Sequence, residues 1–240
     1  MVIGMNLAGK RALVTGGAVR IGRAIVEALQ AEGVEVVVHY LSSGDEAKAL
    51  SPFTVQGDLG NPMDISSIIE GAGPLDILIN NASLFTKDRL DESRPERVLR
   101  EFNVNLLSPL ELTRAFAAQT NSGAVVNLLD RRIRANDPTA LPYSISKKGL
   151  EELTKLSALE LAPGIRVNGV APGPILPPPG DSGEHFAERA GRVPLKLFPT
   201  PGHIADAVLF LLKAEYCTGQ VIFVDGGQHL LGNGVFDRGV

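Results

Sequence analysis

The chain has 240 residues, of which 44% are hydrophobic, and its 23 basic and 27 acidic side chains leave a formal net charge of −4. This length and hydrophobic content suffice for one large α/β domain with a substantial core, and they exclude a disordered chain. The acidic balance argues against a nucleic acid or an anionic membrane surface as the main partner. The cluster Arg131, Arg132 and Arg134 is too small to reverse that balance.

The cysteine and histidine content indicates the cellular compartment and whether a metal site is expected. Cys217 is the single cysteine and cannot form an internal disulfide. No signal-peptide pattern opens the chain, so a reducing cytoplasm is expected. No apolar run reaches the length that crosses a bilayer, which predicts a soluble protein without a membrane partner. The four histidines show no ligand spacing, and no paired Cys/His pattern exists, so no metal is expected.

A glycine-rich turn lies between the first predicted strand and the first predicted helix. Residues 11–15 read as a buried strand, 16–22 as the turn and 23–32 as a helix. Glycines let a backbone approach a ligand closely, and a helix N-terminus offers free N–H groups and a partial positive charge. The pattern therefore predicts a phosphate-binding corner, with a mere tight turn as the alternative.

The second predicted strand, 34–38, bears on the choice of dinucleotide. Folds that prefer NAD place an acid at the end of this strand, where it holds the ribose 2′-hydroxyl and would repel a 2′-phosphate. No acid stands there in this chain. Ser42 and Ser43 can donate hydrogen bonds and Arg20 can supply positive charge, so NADPH is the predicted cofactor.

Five further short runs, most of them rich in Val, Ile and Leu, predict strands, and the runs between them have helical periodicity. The predicted strands are residues 53–56, 76–79, 124–129, 165–170 and 221–224, and a long helical run covers 95–119. Strands alternating with helices predict a Rossmann-type, doubly wound, seven-stranded parallel sheet with helices on both faces. No linker or repeat is found, so residues 1–240 are expected to form a single domain.

Two irregular stretches interrupt this pattern. The helical run 95–119 should break or bend near Ser108-Pro109. The segment 172–201 is dense in proline and glycine, with a short helical piece near 184–190. A long loop beside the carboxyl ends of parallel strands is where a substrate lid would lie, so 174–199 is the expected lid.

Two polar residues have an open interpretation on sequence alone. Asp58, after the third strand, could accept a hydrogen bond from an adenine amine, or it could be only a turn or N-cap residue. Asn105 lies inside a predicted helix, where asparagine is mildly unfavourable and often simply solvated.

The run 140–161 has helical spacing and contains Tyr143 and Lys147. A helix places these two side chains one turn apart on the same face. A free phenol titrates near ~10, and a fixed cation nearby favours the phenolate and lowers that pKa. The pair is therefore a candidate proton donor and acceptor, with a half-buried ring beside a solvated charge as the alternative.

Several of these motifs together resemble the short-chain dehydrogenase/reductase family. They are the glycine turn, Asn80-Asn81-Ala82, Asn105, Tyr143-x-x-x-Lys147, Pro172-Gly173 and Asp225-Gly226-Gly227, in the order and spacing of that family. The resemblance implies a homotetrameric nicotinamide-dependent reductase. It implies that Tyr143 supplies the proton, that Lys147 lowers its pKa and holds the nicotinamide ribose, and that Asn105 supports a relay water.

The resemblance also implies a set of residues around the cofactor. They are Gly16, Arg20, Ile21, Gly22, Tyr40, Ser42, Ser43, Asp58, Leu59, Asn81, Ala82, Lys147, Pro172 and Gly173.

Two departures from the common family pattern indicate one subgroup of the family. Arg20 stands where the family usually has a third glycine, and Asp130 stands where it usually has a serine, thirteen residues before the tyrosine. Together with Phe85 in Asn-Ala-Ser-x-Phe, they resemble pteridine reductases and dihydromonapterin reductases. In that subgroup the arginine lies by the cofactor phosphates, the phenylalanine stacks on the pterin, and the aspartate works beside the tyrosine. The implied substrate-binding residues are Ser83, Phe85, Asp130 and Tyr143.

The chemistry of these side chains agrees with a pterin-like substrate. An ionised aspartate would repel the oxyanion that develops when a ketone is reduced. A pterin instead offers N–H donors to a carboxylate, and Phe85 offers a flat face to a flat ring. As alternatives, Phe85 could fill the core and Asp130 could cap the strand end. The rival functions are an NADPH-dependent carbonyl or 3-oxoacyl reductase and a non-catalytic NADP(H)-binding regulatory protein.

Overall fold

The computed structural model describes residues 5–177, 186 and 193–231. Within these residues seven parallel strands form one sheet in the order β3-β2-β1-β4-β5-β6-β7. The strands are β1 (Arg11–Val14), β2 (Glu35–Tyr40), β3 (Thr54–Gln56), β4 (Ile77–Asn80), β5 (Gly123–Leu128), β6 (Ile165–Pro172) and β7 (Val221–Val224). The predicted Rossmann-type α/β fold is confirmed.

Helices cover both faces of this sheet. They are α1 (Arg20–Ala31), α2 (Gly44–Leu50), α3 (Asp64–Ala72), α4 (Pro95–Phe102), α5 (Ser108–Gln119), α6 (Leu141–Leu161) and α7 (Pro201–Lys213). A π-helical turn (Asn103–Leu107) joins α4 to α5, and 3-10 turns cover Arg131–Arg134 and Gln228–Leu231. None of the helices in the described residues is long and apolar enough to cross a membrane.

Successive residues of each strand point to opposite faces and so supply two cores. On one face Val14 and Ile79 pack with α1 and α7, and on the other Leu13 and Leu78 pack with α3 and α5. Burial on both faces explains why the strands are almost continuously apolar. The faces of the sheet are thus closed, and its carboxyl edge remains for binding.

The strand order reverses beside β1, which pairs with both β2 and β4. Ligands of doubly wound sheets bind at the carboxyl edge of such a reversal. β2 runs to Tyr40, two residues beyond its predicted end, and α1 begins at Arg20, three residues before its predicted start. His39 therefore lies in the sheet, directly beside the glycine turn.

The irregularity predicted near Ser108-Pro109 lies just before those residues, in the π-helical turn. Proline lacks an N–H and is tolerated in the first turn of a helix, where Pro109 lies in α5. Most of the predicted lid 174–199 and its helical piece 184–190 lie outside the described residues.

Candidate active site

The glycine turn has the geometry of an anion-binding corner. Gly16 has φ +60°, and a Cβ at Gly22 would collide with the Gly16 carbonyl and would lie 2.7 Å from Asn81 Nδ2. Val19 is the N-cap residue of α1 and makes no side-chain hydrogen bond to the helix, so the first N–H groups of the helix have no side-chain acceptor at that position. Arg20 is the first helical residue and has φ +56°. These features fit the phosphates of a dinucleotide.

A cavity of about 370 Å³ opens beside this turn. Its lining includes Gly16, Arg20, Ile21, Gly22, Leu59, Asn81, Ala82 and Ser83 of the predicted site. Val19, His39, Leu41, Leu84, Arg100 and Val104 add to this lining without having been predicted there. The structure thus brings half of the predicted cofactor residues to one cavity at the carboxyl edge of β1 and β4.

The remaining predicted cofactor residues are not among those that line this cavity. Ser42 and Ser43 follow β2, Tyr40 ends that strand, and Pro172 ends β6. Gly173 packs so closely on Asp225 that a Cβ would lie 2.7 Å from its Cα. The Arg20 guanidinium donates to the Pro177 carbonyl at 2.8 Å.

Asn81 and Thr15 join the loop after β4 to the glycine turn. Asn81 Nδ2 donates to the carbonyls of Thr15 (2.9 Å) and Gly16 (3.1 Å). Thr15 Oγ1 accepts from the backbone N–H groups of Asn81 (2.9 Å) and Ala82 (3.0 Å). Thr15 was not predicted, because a threonine at a strand end has no distinguishing pattern.

His39 also has a structural role that its sequence position did not indicate. Its Nδ1 accepts from the Gly16 N–H at 3.1 Å, and its Nε2 lies 3.1 Å from the Gly57 carbonyl. Accepting at Nδ1 places the ring proton on Nε2, which then donates to Gly57. Burial lowers the pKa of His39 to about 4 and keeps the ring neutral. The imidazole therefore joins the glycine turn to the turn after β3.

Asp58 is occupied by an arginine. Arg100 Nη1 and Nη2 donate to its two carboxylate oxygens at 2.8 and 2.9 Å, and the Gly60 N–H adds a third bond at 2.8 Å. These bonds from Arg100 hold the pKa of the Asp58 carboxyl below its usual value. A carboxylate offers about four lone-pair sites, so one site remains for a further donor.

Asn105 lies in the π-helical turn and is fully buried. Its Oδ1 accepts from Ser83 Oγ (3.1 Å) and from the Leu84 N–H (2.8 Å). Its Nδ2 donates to the Leu84 carbonyl (2.8 Å) and to Ser146 Oγ (3.1 Å). Every hydrogen-bonding site of this side-chain amide has a protein partner, so the side chain anchors the loop after β4, and the relay water at Asn105 stays a prediction.

Tyr143 and Asp130 form the centre of the candidate active site. Tyr143 Oη donates to Asp130 Oδ2 at 2.9 Å. Burial, and next the Asp130 carboxylate, raises the pKa of the Tyr143 phenol well above its ordinary value. This differs from the expectation that Lys147 lowers that pKa. The reason is that the ring is buried and its hydroxyl faces a negative charge.

Lys147 is buried one helical turn after Tyr143. Its ammonium donates to the Leu128 carbonyl at 2.7 Å and lies 5.8 Å from the centroid of the Tyr143 ring. Burial lowers the pKa of Lys147 to about 8, although the Asp130 and Glu101 carboxylates oppose this effect. A buried cation beside the phenol thus lies where the helical spacing predicted it.

Arg132 is a member of this cluster that the sequence did not reveal. Its Nη1 lies 3.1 Å from Asp130 Oδ2, and its Nε donates to Asp137 at 2.9 Å. Its backbone N–H donates to Asp130 Oδ1 at 2.8 Å, so Asp130 also caps the following 3-10 turn. The only available signal was the arginine two residues after the aspartate.

Phe85 lies against this cluster. Its ring contacts the Tyr143 ring edge to face, with 4.7 Å between centroids, and the Arg132 guanidinium lies 5.3 Å from its centroid. Phe85 is 37% exposed, which distinguishes it from a core residue. Phe85, Asp130 and Tyr143 therefore share one site, and Ser83 is joined to it through Asn105. Within the described part of the chain no cluster of three or more His, Cys, Asp or Glu side chains could hold a metal.

Comparisons with known proteins agree with this geometry. The family model described as enoyl-(acyl carrier protein) reductase matches residues 17–229. The L-xylulose reductase of Bos taurus is 33% identical and covers 93% of this chain and 98% of its own length. The structure of FolM alternative dihydrofolate reductase 1 from Brucella canis, complexed with NADP, is 35% identical, with a TM-score of 0.88 over 94% of this chain and 96% of that one.

The angucycline C-6 ketoreductase LanV with bound NADP is 32% identical, with a TM-score of 0.87 over 94% of this chain and 97% of that one. The relatives thus include an alternative dihydrofolate reductase, a ketoreductase and an L-xylulose reductase. Because the family match spans most of the chain and the relatives cover more than nine tenths of it, the chain belongs to the short-chain dehydrogenase/reductase family of oxidoreductases.

Proposed function

We propose that this protein is an NADPH-dependent reductase that reduces a C=N bond of a pterin-like heterocycle. The observation that carries the proposal is the hydrogen bond from Tyr143 Oη to Asp130 Oδ2 at 2.9 Å. It places a carboxylate beside the proton donor, where N–H groups of a heterocycle would be bound and an oxyanion would be repelled. The FolM structure, described as an alternative dihydrofolate reductase, supports the same substrate class.

The cofactor would lie in the cavity beside the glycine turn, and when bound it supplies a hydride. Gly16 and Gly22 leave room for its phosphates at the N-terminus of α1. No acid stands at the end of β2 to repel a 2′-phosphate, and Arg20 adds positive charge at the turn. The FolM and LanV structures were both determined with NADP.

The residues of the site have separate roles in proton transfer and in substrate binding. Tyr143 is protonated at neutral pH, since the ordinary pKa of a phenol already lies near ~10 and here it is raised further, so its hydroxyl has a proton to give to a substrate nitrogen. Asp130 accepts the Tyr143 hydrogen bond and can bind ring N–H groups with its remaining lone pairs. Lys147 provides a buried positive charge at the same place, and Phe85 provides a flat apolar face.

A second candidate function, reduction of a carbonyl group, is favoured by the ion pair between Asp130 and Arg132. The guanidinium lies 3.1 Å from the carboxylate and compensates part of its charge, which weakens the repulsion of an oxyanion. The relatives described as L-xylulose reductase and C-6 ketoreductase belong to this class.

The test compares a dihydropterin with a small ketone, using NADPH oxidation as the readout. Asp130→Asn should lower kcat/KM for the dihydropterin at least ~10-fold, because a neutral amide binds N–H donors less strongly than a carboxylate. The control is Asp137→Asn, which removes the other partner of Arg132 without removing a contact to Tyr143.

Ketone turnover that survives Asp130→Asn, without dihydropterin turnover in the wild type, would establish carbonyl reduction instead. NADPH binding without oxidation over pterins, quinones and carbonyls would leave only a nucleotide-binding regulatory role.

Assembly and location complete the proposal. A homotetramer is supported by apolar side chains exposed along α6, where Ile145, Leu156 and Leu159 are 49%, 63% and 80% exposed. A cytoplasmic location is supported by Cys217 being the single cysteine. Sedimentation with and without NADPH tests the assembly.

A further inference from the structure

A buried carboxyl group on α4 has no role in the mechanism above. Glu101 is 0% exposed, and its Oε1 accepts the Thr86 N–H at 2.8 Å. Its other oxygen has no hydrogen-bond partner in the structure. Burial raises the pKa of this carboxyl. Burying an incompletely satisfied carboxyl is costly, so its presence requires an explanation.

Glu101, in α4, and Asn105, in the π-helical turn that follows α4, both bind the loop after β4. Asn105 binds both the N–H and the carbonyl of Leu84, and Glu101 binds the N–H of Thr86. The two side chains thus anchor Leu84 and Thr86, two alternate residues of the loop after β4, and we call these contacts the ladder.

Phe85 lies between the two anchored residues of the loop. Leu84 and Thr86, on either side of Phe85, are bound to the helical segment through their backbone groups. The Phe85 ring does lie on Tyr143 of another helix, 4.7 Å between centroids and 88° between planes. The ladder thus fixes the backbone on both sides of a ring that is itself 37% exposed.

We infer that Glu101 is a positioning residue that, with Asn105, holds the Phe85 ring against Tyr143 and so sets the affinity of the site for a flat substrate. The inference rests on the proposed function in that Phe85 is taken to contact the substrate. Glu101 acts through its acceptor oxygen, which binds the backbone N–H of Thr86. Glu101 is not among the residues that line the cavity beside the glycine turn, so we expect its substitution to change KM for the substrate more than KM for NADPH.

The experiment compares Glu101→Met, which removes the acceptor, with Glu101→Gln, which retains an acceptor at the same length. Glu101→Met should raise KM for the substrate about tenfold while KM for NADPH stays the same, and Glu101→Gln should restore the wild-type KM. Equal changes in both KM values, or no rescue by Glu101→Gln, would overturn the inference.

A double-mutant cycle with Phe85→Ala separates positioning from general destabilisation. If Glu101 acts through Phe85, Glu101→Met has no further effect on KM in the Phe85→Ala background. Additive effects would contradict the ladder. The cycle is run with a dihydropterin and with a ketone as substrate. Turnover of the ketone alone would refute the pterin assignment, and KM for the ketone would still test whether Glu101 acts through Phe85.

A fluorescence measurement provides a readout independent of turnover. The chain contains no tryptophan, so Phe85→Trp introduces a single reporter at the ring position. Adding Glu101→Met should lower its anisotropy, and adding Glu101→Gln should not. Unchanged anisotropy in the Glu101→Met protein would show that the carboxyl does not order this loop.

Discussion

Replacing Lys147 by methionine should abolish turnover and yet stabilise the fold at neutral pH. The Lys147 side chain is 2% exposed, and burial lowers its pKa from 10.5 to about 8. A folded-state pKa below the unfolded value means that keeping the charge buried destabilises the protein by about 3 kcal/mol at pH 7. Losing the hydrogen bond to the Leu128 carbonyl costs about 1 kcal/mol. The variant should therefore be about 2 kcal/mol more stable.

The sign of the pH dependence follows from the same two pKa values. The destabilising effect of Lys147 is fully present below pH 8 and disappears as the pH rises from about 8 towards 10.5. The advantage of Lys147→Met should accordingly shrink by about 2 kcal/mol between pH 7 and pH 9.5.

Urea unfolding of the cofactor-free protein at these two pH values measures both quantities. The control is Lys148→Met, which removes a partly exposed lysine whose ammonium donates to Asn136. Its effect should stay within about 0.5 kcal/mol at both pH values. A Lys147→Met protein that is less stable than the wild type at pH 7, or a stability difference that does not change with pH, would refute the reasoning.

Two further predictions concern the cofactor cavity. Gly22→Ala should weaken NADPH binding at least ~10-fold in a fluorescence titration, because its Cβ would collide with the Gly16 carbonyl. The control is Gly202→Ala, whose Cβ would lie 3.5 Å from the nearest atom and which should bind NADPH normally. His39 has a folded pKa of about 4 against 6.5 unfolded, so its contribution to stability is lost as the pH falls from 6.5 to 4. The wild type should lose about 2 kcal/mol from this source between pH 7 and 5. His39→Leu should lack that part of the acid sensitivity, and an unchanged pH dependence would show that His39 is not the group involved.

The fold could be predicted because its signals are local. Apolar runs such as Val36, Val37 and Val38 indicate a strand buried on both faces. Residues typical of turns and helices separate these runs from one another. The glycine turn and the Tyr143–Lys147 spacing are likewise features of a few consecutive residues. Such patterns do not depend on distant parts of the chain, so they are visible before folding.

The charge environment of the site could not be predicted in the same way. The sequence places Asp130 thirteen residues before Tyr143, but the 2.9 Å bond between them exists only once β5 and α6 have packed. His39 and Thr15 acquire their partners across 23 and 66 residues. These contacts determine that the pKa of Tyr143 rises instead of falling, since the hydroxyl faces a carboxylate in a buried place.

By itself, then, the amino-acid order determined the layered α/β fold, the position of the glycine turn and which side chains could carry protons. Only tertiary packing decided which of them meet and in what protonation state, because burial and the distance between charges set a pKa, and neither quantity exists in an unfolded chain. Glu101 shows this most directly: it binds the Thr86 N–H of the loop that carries Phe85, fifteen residues earlier in the chain, through a contact that no local spacing indicates.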